Sequence, residues 1–245
     1  MKRLIFALTW LLPTMVFAAS GGVELQSANN DITDQASLQT GAKLYVNYCM
    51  GCHSLQYARF QRIGKDLGLT DDDLKEHLMF GAEKVGETIT IAMDQDDAER
   101  WFGVTPPDLS VIARARGTDW LYTYMLSFYL DPSRPMGVNN LVFKDVGMPH
   151  VLWEQQGWQK AVHKSETDAQ GHSHEVIELE LVNPADKEKA EQYEKDMRNL
   201  VNFLEYIGEP AKLERHSLGW KVLLFLFIFL GFSVALKKEY WRDIH

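Results

Sequence analysis

Cys49-Met50-Gly51-Cys52-His53 is the stretch that decides how this 245-residue chain is read. Its two cysteines are the only ones in the sequence. C-x-x-C-H is the spacing of covalent c-type haem attachment. The two thiols add across the two vinyl groups of the porphyrin, and the adjoining histidine reaches the iron as an axial ligand. A redox dithiol has no use for His53, and a zinc site of this kind needs a second C-x-x-C, which the chain lacks. The expectation is one covalently bound haem c per chain, attached through Cys49 and Cys52 with His53 on the iron, and no disulfide.

Outward from the motif, Ala36 to Tyr48 reads as a helix that ends at Cys49. Gly41 and Tyr45 are four apart and share one of its faces. A second helix follows Asn183-Pro184, where asparagine caps and proline suits the first turn. Its apolar stripe is Ala190, Tyr193, Met197, Leu200, Val201, Leu204 and Ile207, and Gly208 with Pro210 ends it. The pair resembles the crossed terminal helices of class I cytochromes c. That resemblance implies a mainly α haem domain in which the two helices cross beside the haem.

An electron carrier needs both axial positions filled, and His with Met is the usual pair. Beyond the motif the candidates are Met79, Met93, Met125, Met136, Met148 and Met197. Met79, Met125 and Met197 lie in helix-like apolar patterns, where methionine usually fills core. Met93 precedes the acidic run 94–99, read as loop. Met136 follows the turn-like Arg134-Pro135. Met148 lies in Val146-Gly147-Met148-Pro149, where glycine frees the backbone and proline holds the turn. Local sequence favours Met148 and Met136 and leaves the choice between them open.

The two ends are membrane signals of different kinds. Residues 1–18 combine Lys2 and Arg3 with an apolar run from Leu4 to Leu12 and the small residues Val16 and Ala18, the form of a cleaved secretory signal peptide. Leu218 to Leu236 carries one charge, Lys221, and as a helix spans about 28 Å, enough to cross a bilayer core. Lys237, Lys238 and Arg242 follow it and by the positive-inside rule face the cytoplasm. The expected organisation is a signal peptide over 1–18, an exported haem domain over 19–211, and an anchor with a short tail over 212–245.

The whole chain is 46% apolar and 24% charged, ordinary values that exclude a disordered or polytopic protein. Its formal charge of −9 argues against a nucleic-acid binder. That charge is uneven: residues 19–211 hold 17 Lys+Arg against 31 Asp+Glu, a net of −14. Such a field attracts basic partners and speeds their encounter.

His53 and Met148 stand 95 positions apart, wider than in a small class I cytochrome, so insertions are expected. One runs from Thr70 to Arg100, where Thr70-Asp71-Asp72-Asp73 starts a short helix and an acidic loop follows. The other lies after Met148. Residues 175–182 alternate as a strand and pair with Trp158 to His163 as a β-hairpin across the loop 164–174. His163, His172 and His174 with neighbouring carboxylates read as a solvated tip rather than a metal site.

Taken together, the sequence resembles the bacterial cytochrome c1 family over almost the whole mature length. The carriers are Cys49–His53, Tyr57-Ala58-Arg59-Phe60, Pro106-Pro107-Asp108-Leu109-Ser110, Ala113-Arg114-Ala115-Arg116-Gly117, Gly147-Met148-Pro149 and Glu209-Pro210 before the anchor. The resemblance implies that Met148 is the axial sulfur, that Arg116 and also Arg114 contact a haem propionate, and that Pro106 and Pro107 line the pocket. It implies electron transfer in a dimeric quinol:cytochrome c reductase, from a Rieske iron–sulfur protein to cytochrome c, with cytochrome b as the quinol-oxidising partner. The haem domain would lie in the periplasm on a single-pass inner-membrane anchor, and no bond of an organic substrate is changed on this chain. Two other classes share parts of the pattern: an anchored c cytochrome feeding a terminal oxidase, and a haem peroxidase.

Overall fold

The computed structural model describes residues 23–167 and 173–244. The expected signal peptide and His172 lie outside them. An extended strap over 23–34 leads into helix α1 (Gln35–Leu44), which starts where the Asp34 side chain accepts from Ser37 N at 3.1 Å. The expected helix to the motif is present, but its last turn is wider. Tyr45–Cys49 forms a π-helical turn, with Met50 N donating to Tyr45 O at 2.9 Å. Such turns recur at functional sites. Here it sets both Tyr45 and Cys49 facing inward and buried.

The segment after the motif leads into the first expected insertion at Thr70. Strand β1 (Leu55–Arg59) leads into α2 (Phe60–Leu67), then α3 (Asp71–His77), and β1 pairs antiparallel with β2 (Thr88–Ile89). Thr70 caps α3 as expected, in a reciprocal box with Asp73. The acidic run differs from the expected loop: it forms α4 (Gln95–Phe102). Asp94 caps that helix by accepting from Asp96 N and Asp97 N, and acids in the first turn favour a helix N-terminus.

Two short helices, α5 (Ile112–Arg116) and α6 (Thr118–Leu126), precede a two-stranded ribbon, β3 (Phe128–Leu130) against β4 (Val138–Asn140). After α7 (Trp153–Gln156) comes the expected hairpin, β5 (Gln159–Thr167) against β6 (Ser173–Leu181). Its strands are longer than expected. The ladder continues through the Glu166–His174 and Thr167–Ser173 pairs, so most of the expected loop is strand.

Asn183 caps a 3₁₀ turn (Pro184–Asp186) that opens α8 (Lys187–Gly208). Six of the seven expected stripe residues, Tyr193 to Ile207, are fully buried. Helix α8 crosses α1 at Gly41, where a Cβ would overlap the carbonyl oxygen of Asn199 and lie 2.6 Å from Phe203 Cβ. Tyr45 meets Phe203 at 6.0 Å between ring centroids. The two helices therefore cross as expected.

Last comes α9 (Lys212–Tyr240), among the described residues the one helix long and apolar enough to cross a membrane. Lys212 Nζ pairs with Glu205 Oε1 at 2.6 Å and ties its start to α8.

Candidate functional site

One cavity of about 360 Å³ opens where the π-turn, the 102–109 segment, α6, α8 and the 146–151 loop meet. That volume is within the usual range for cofactor pockets. Cys49, Cys52 and His53 form one wall, and both thiols are free. Burial pushes the Cys49 thiol up to about 12, with Cys52 adding to the shift, and burial also raises Cys52.

His53 is fixed by its surroundings. Its Nδ1 lies 2.7 Å from Pro107 O. A carbonyl can only accept, so Nδ1 carries the proton and Nε2 keeps its lone pair. Burial holds the imidazole below its ordinary value, against the opposing pull of Pro107 and Asp108. The ring is therefore neutral, with one nitrogen ready for a metal. The Tyr45 hydroxyl donates to His53 O at 2.5 Å and holds the backbone beneath it.

Two methionines line the cavity, Met148 from the loop and Met125 from α6. Met136, like Met148, packs against the small cluster of Phe128, Val138 and Val146, but it does not line the cavity, and Met79 and Met197 are buried in the main core. The Met148 loop approaches closely: a Cβ on Gly147 would lie 2.7 Å from Val104 Cγ1. The Tyr124 hydroxyl donates to Met148 Sδ at 3.3 Å. Tyr124 stacks on Trp120 at 5.1 Å, and burial raises its phenol well above the ordinary value.

Arg116 is on the cavity wall, its guanidinium 5.0 Å from the Trp120 ring and 5.8 Å from Phe143. Arg114 is directed elsewhere, its Cγ 3.3 Å from where a Gly208 Cβ would stand. Two residues apart on a helix point to different sides. Pro106 and Pro107 both line the cavity. Sequence reasoning passed over Tyr124, Trp120 and Phe143. The i, i+4 spacing of Trp120 and Tyr124 is the one local signal they carry.

A family model described as the Cytochrome C1 family matches residues 27–244. The chain belongs to the cytochrome c1 family. It is similar to cytochrome c1 of Allochromatium vinosum, 50% identical with all of both chains covered. It is also 46% identical, again over all of both chains, to a Nitrosomonas europaea protein named ammonia monooxygenase gamma subunit. A protein named cytochrome b/c1 from Bradyrhizobium diazoefficiens is 24% identical over 86% of this chain and 34% of its own length. Cytochromes c1 carry covalently bound haem c and transfer electrons in the bc1 complex. The donor set fits that group: two free thiols, a neutral imidazole whose Nε2 keeps its lone pair, and a thioether line one largely apolar cavity.

Proposed function

We propose that Cys49 and Cys52 attach the haem, that His53 Nε2 and Met148 Sδ are its axial ligands, and that this chain relays single electrons between a Rieske iron–sulfur protein and a cytochrome c. The observation that carries this reading is the tautomer of His53, locked by Pro107 O, in one apolar cavity with Met148. The haem supplies a reversible one-electron couple. His53 and Met148, both held by the fold, would hold the iron without rearranging between its two redox states. The proline pair and the aromatic wall exclude water. Met148 is preferred to Met125 because its loop is free of helix geometry and its sulfur receives the Tyr124 hydroxyl. Arg116, the arginine on the cavity wall, is the partner for a buried propionate, since a guanidinium meets a carboxylate with two parallel hydrogen bonds. Arg114 would reach a propionate only from a different side-chain orientation.

The remaining organisation is proposed from the sequence. Residues 1–18 are removed on export, 19–211 form the periplasmic haem domain, and 212–245 anchor it with the C-terminus in the cytoplasm. Cytochrome b is the neighbour in the membrane and the complex is a dimer of such units. The acid-rich haem domain steers a basic acceptor. Purification of the full chain from membranes tests the reading: a b-type cytochrome and a Rieske centre should co-purify. Slow combination of carbon monoxide with the reduced protein is expected for two protein ligands. Rapid combination would favour a peroxidase-like open position and overturn His/Met ligation.

A further inference from the structure

His150 stands two residues beyond Met148, and no role described above uses it. It is 5% exposed, and its buried Nε2 makes no well-formed hydrogen bond, although the Gln156 side chain lies within reach of the imidazole. Buried polar groups are normally hydrogen-bonded, so an imidazole placed this way calls for a different explanation. Apart from Gln156, the contacts of the ring are flat aromatic surfaces. It stacks on Phe128 with centroids 4.9 Å apart and planes at 4°. Trp158 meets it edge-on at 5.9 Å, and Tyr193 does so at 6.2 Å. These three come from separate places: β3, the residue before β5, and α8.

The same cluster reaches Met148 by two routes. Along the chain, Pro149 is the one residue between His150 and Met148, and its ring stiffens the link. Through space, Phe128 packs edge-on against Tyr124 at 5.1 Å, and Tyr124 donates to the sulfur. The hairpin is fastened to this spot as well. Gln159 Nε2, at the start of β5, donates to Leu126 O at 2.9 Å and to Phe128 O at 3.0 Å. Val182 N, just past β6, donates to Trp158 O at 2.8 Å.

We infer that His150 is a positioning residue for Met148, acting as a flat aromatic wedge rather than as a hydrogen-bond partner, with the β5–β6 hairpin bracing the wedge from behind through Trp158. This rests on Met148 being the axial ligand. The hairpin is then part of what keeps the sulfur on the iron.

The test uses full-length holoprotein in membranes, with two readouts: the weak far-red absorption of a sulfur–iron(III) bond, and the fraction of reduced protein that combines with carbon monoxide. His150→Phe keeps the stack and removes the orphan nitrogen, so both readouts should match the unaltered protein. His150→Leu fills similar volume without a flat face, and His150→Ala leaves a void. Each should enlarge the carbon monoxide-reactive fraction by about tenfold, the scale of losing one or two aromatic pairs. Trp158→Leu, altered only at the brace, should move the fraction the same way by a smaller factor. If His150→Phe fails like His150→Leu, or if His150→Leu leaves both readouts unchanged, the wedge is overturned. Should the alanine variant fail to assemble, the Phe/Leu comparison still decides. Met148→Leu separates the two levels: if it retains the far-red band, the ligand assignment itself has failed, whatever the His150 variants do.

Discussion

The Nδ1 of His53 and the carbonyl oxygen of Pro107 lie 2.7 Å apart, joining the haem-attachment motif to a loop 54 residues further along the chain. Asp108 holds that loop in place. Its Oδ2 accepts from Ser54 Oγ at 2.7 Å and from Gln56 N at 2.8 Å, and its Oδ1 accepts from Ser110 N at 2.8 Å. Leu109 N donates to Ser54 O at 2.9 Å beside them. A ligating histidine whose other nitrogen is held this way keeps one orientation.

Asp108 gives this clamp a pH dependence. Burial works to raise its carboxyl, but hydrogen bonds from Ser110, Gln56 and Ser54 outweigh it and hold the group below the ordinary value. A carboxyl depressed in the folded state contributes stability above the unfolded value near ~3.9, and loses it as pH falls through the folded one. Asp108→Asn should therefore be less stable than the unaltered protein at neutral pH, with the gap closing below about pH 4. Thermal unfolding of the holoprotein at neutral and acid pH measures it. A gap that widens on acidification would contradict the assignment.

Both methionines on the cavity wall can be tested directly. Met148→Leu should abolish the far-red sulfur–iron band of the oxidised protein and admit carbon monoxide to the reduced one. Met125→Leu conserves volume within α6 and should keep the band, at a stability cost below about 1.5 kcal/mol. The reverse outcome would transfer the axial role to Met125.

The motif, the caps at Thr70 and Asn183, and the hairpin are legible because each rests on neighbours in sequence, whereas the helix crossing at Gly41 follows from the family resemblance and the cap at Asp34 appears only in the structure. The π-turn at Tyr45–Cys49 is not legible, since no local residue pattern distinguishes it from a final α-turn. The charge of the 94–99 run suggests a loop, but Asp94 at the cap and acids in the first turn make that charge helix-compatible. The shared motif groups Arg114 with Arg116, whereas a two-residue offset on α5 separates their directions. The contacts around the Met148 sulfur lie beyond what sequence shows. Tyr124 meets Met148 across 24 residues, and His150 meets Phe128 only because β3 and β4 pair.

Tyr124 offers a way to tune the site. A hydrogen bond to the thioether draws electron density from the sulfur and so disfavours the oxidised iron. Tyr124→Phe should lower the midpoint potential. A whole hydrogen bond of ~1 kcal/mol corresponds to about 40 mV for one electron, which bounds the shift. Potentiometric titration measures it, and the far-red band should persist, because phenylalanine keeps the ring between Trp120 and Phe128. A rise in potential would contradict the direction of the bond.

Gly41 tests whether the helix crossing supports the site at all. Any Cβ there meets the α8 backbone at Asn199, which cannot move aside as the end of a flexible side chain could. Gly41→Ala should force α1 away from α8 at a cost of about 1–3 kcal/mol, the scale of overpacking a closed interface. In a domain of this size each 1 kcal/mol lowers Tm by roughly 2–4 °C, readable by circular dichroism. The displacement acts on Tyr45, one turn further along, whose ring rests on Phe203 and whose hydroxyl holds His53 O. The variant should therefore also raise the carbon monoxide-reactive fraction. A loss of stability without that second effect would mean that the crossing and the ligand loop are independent.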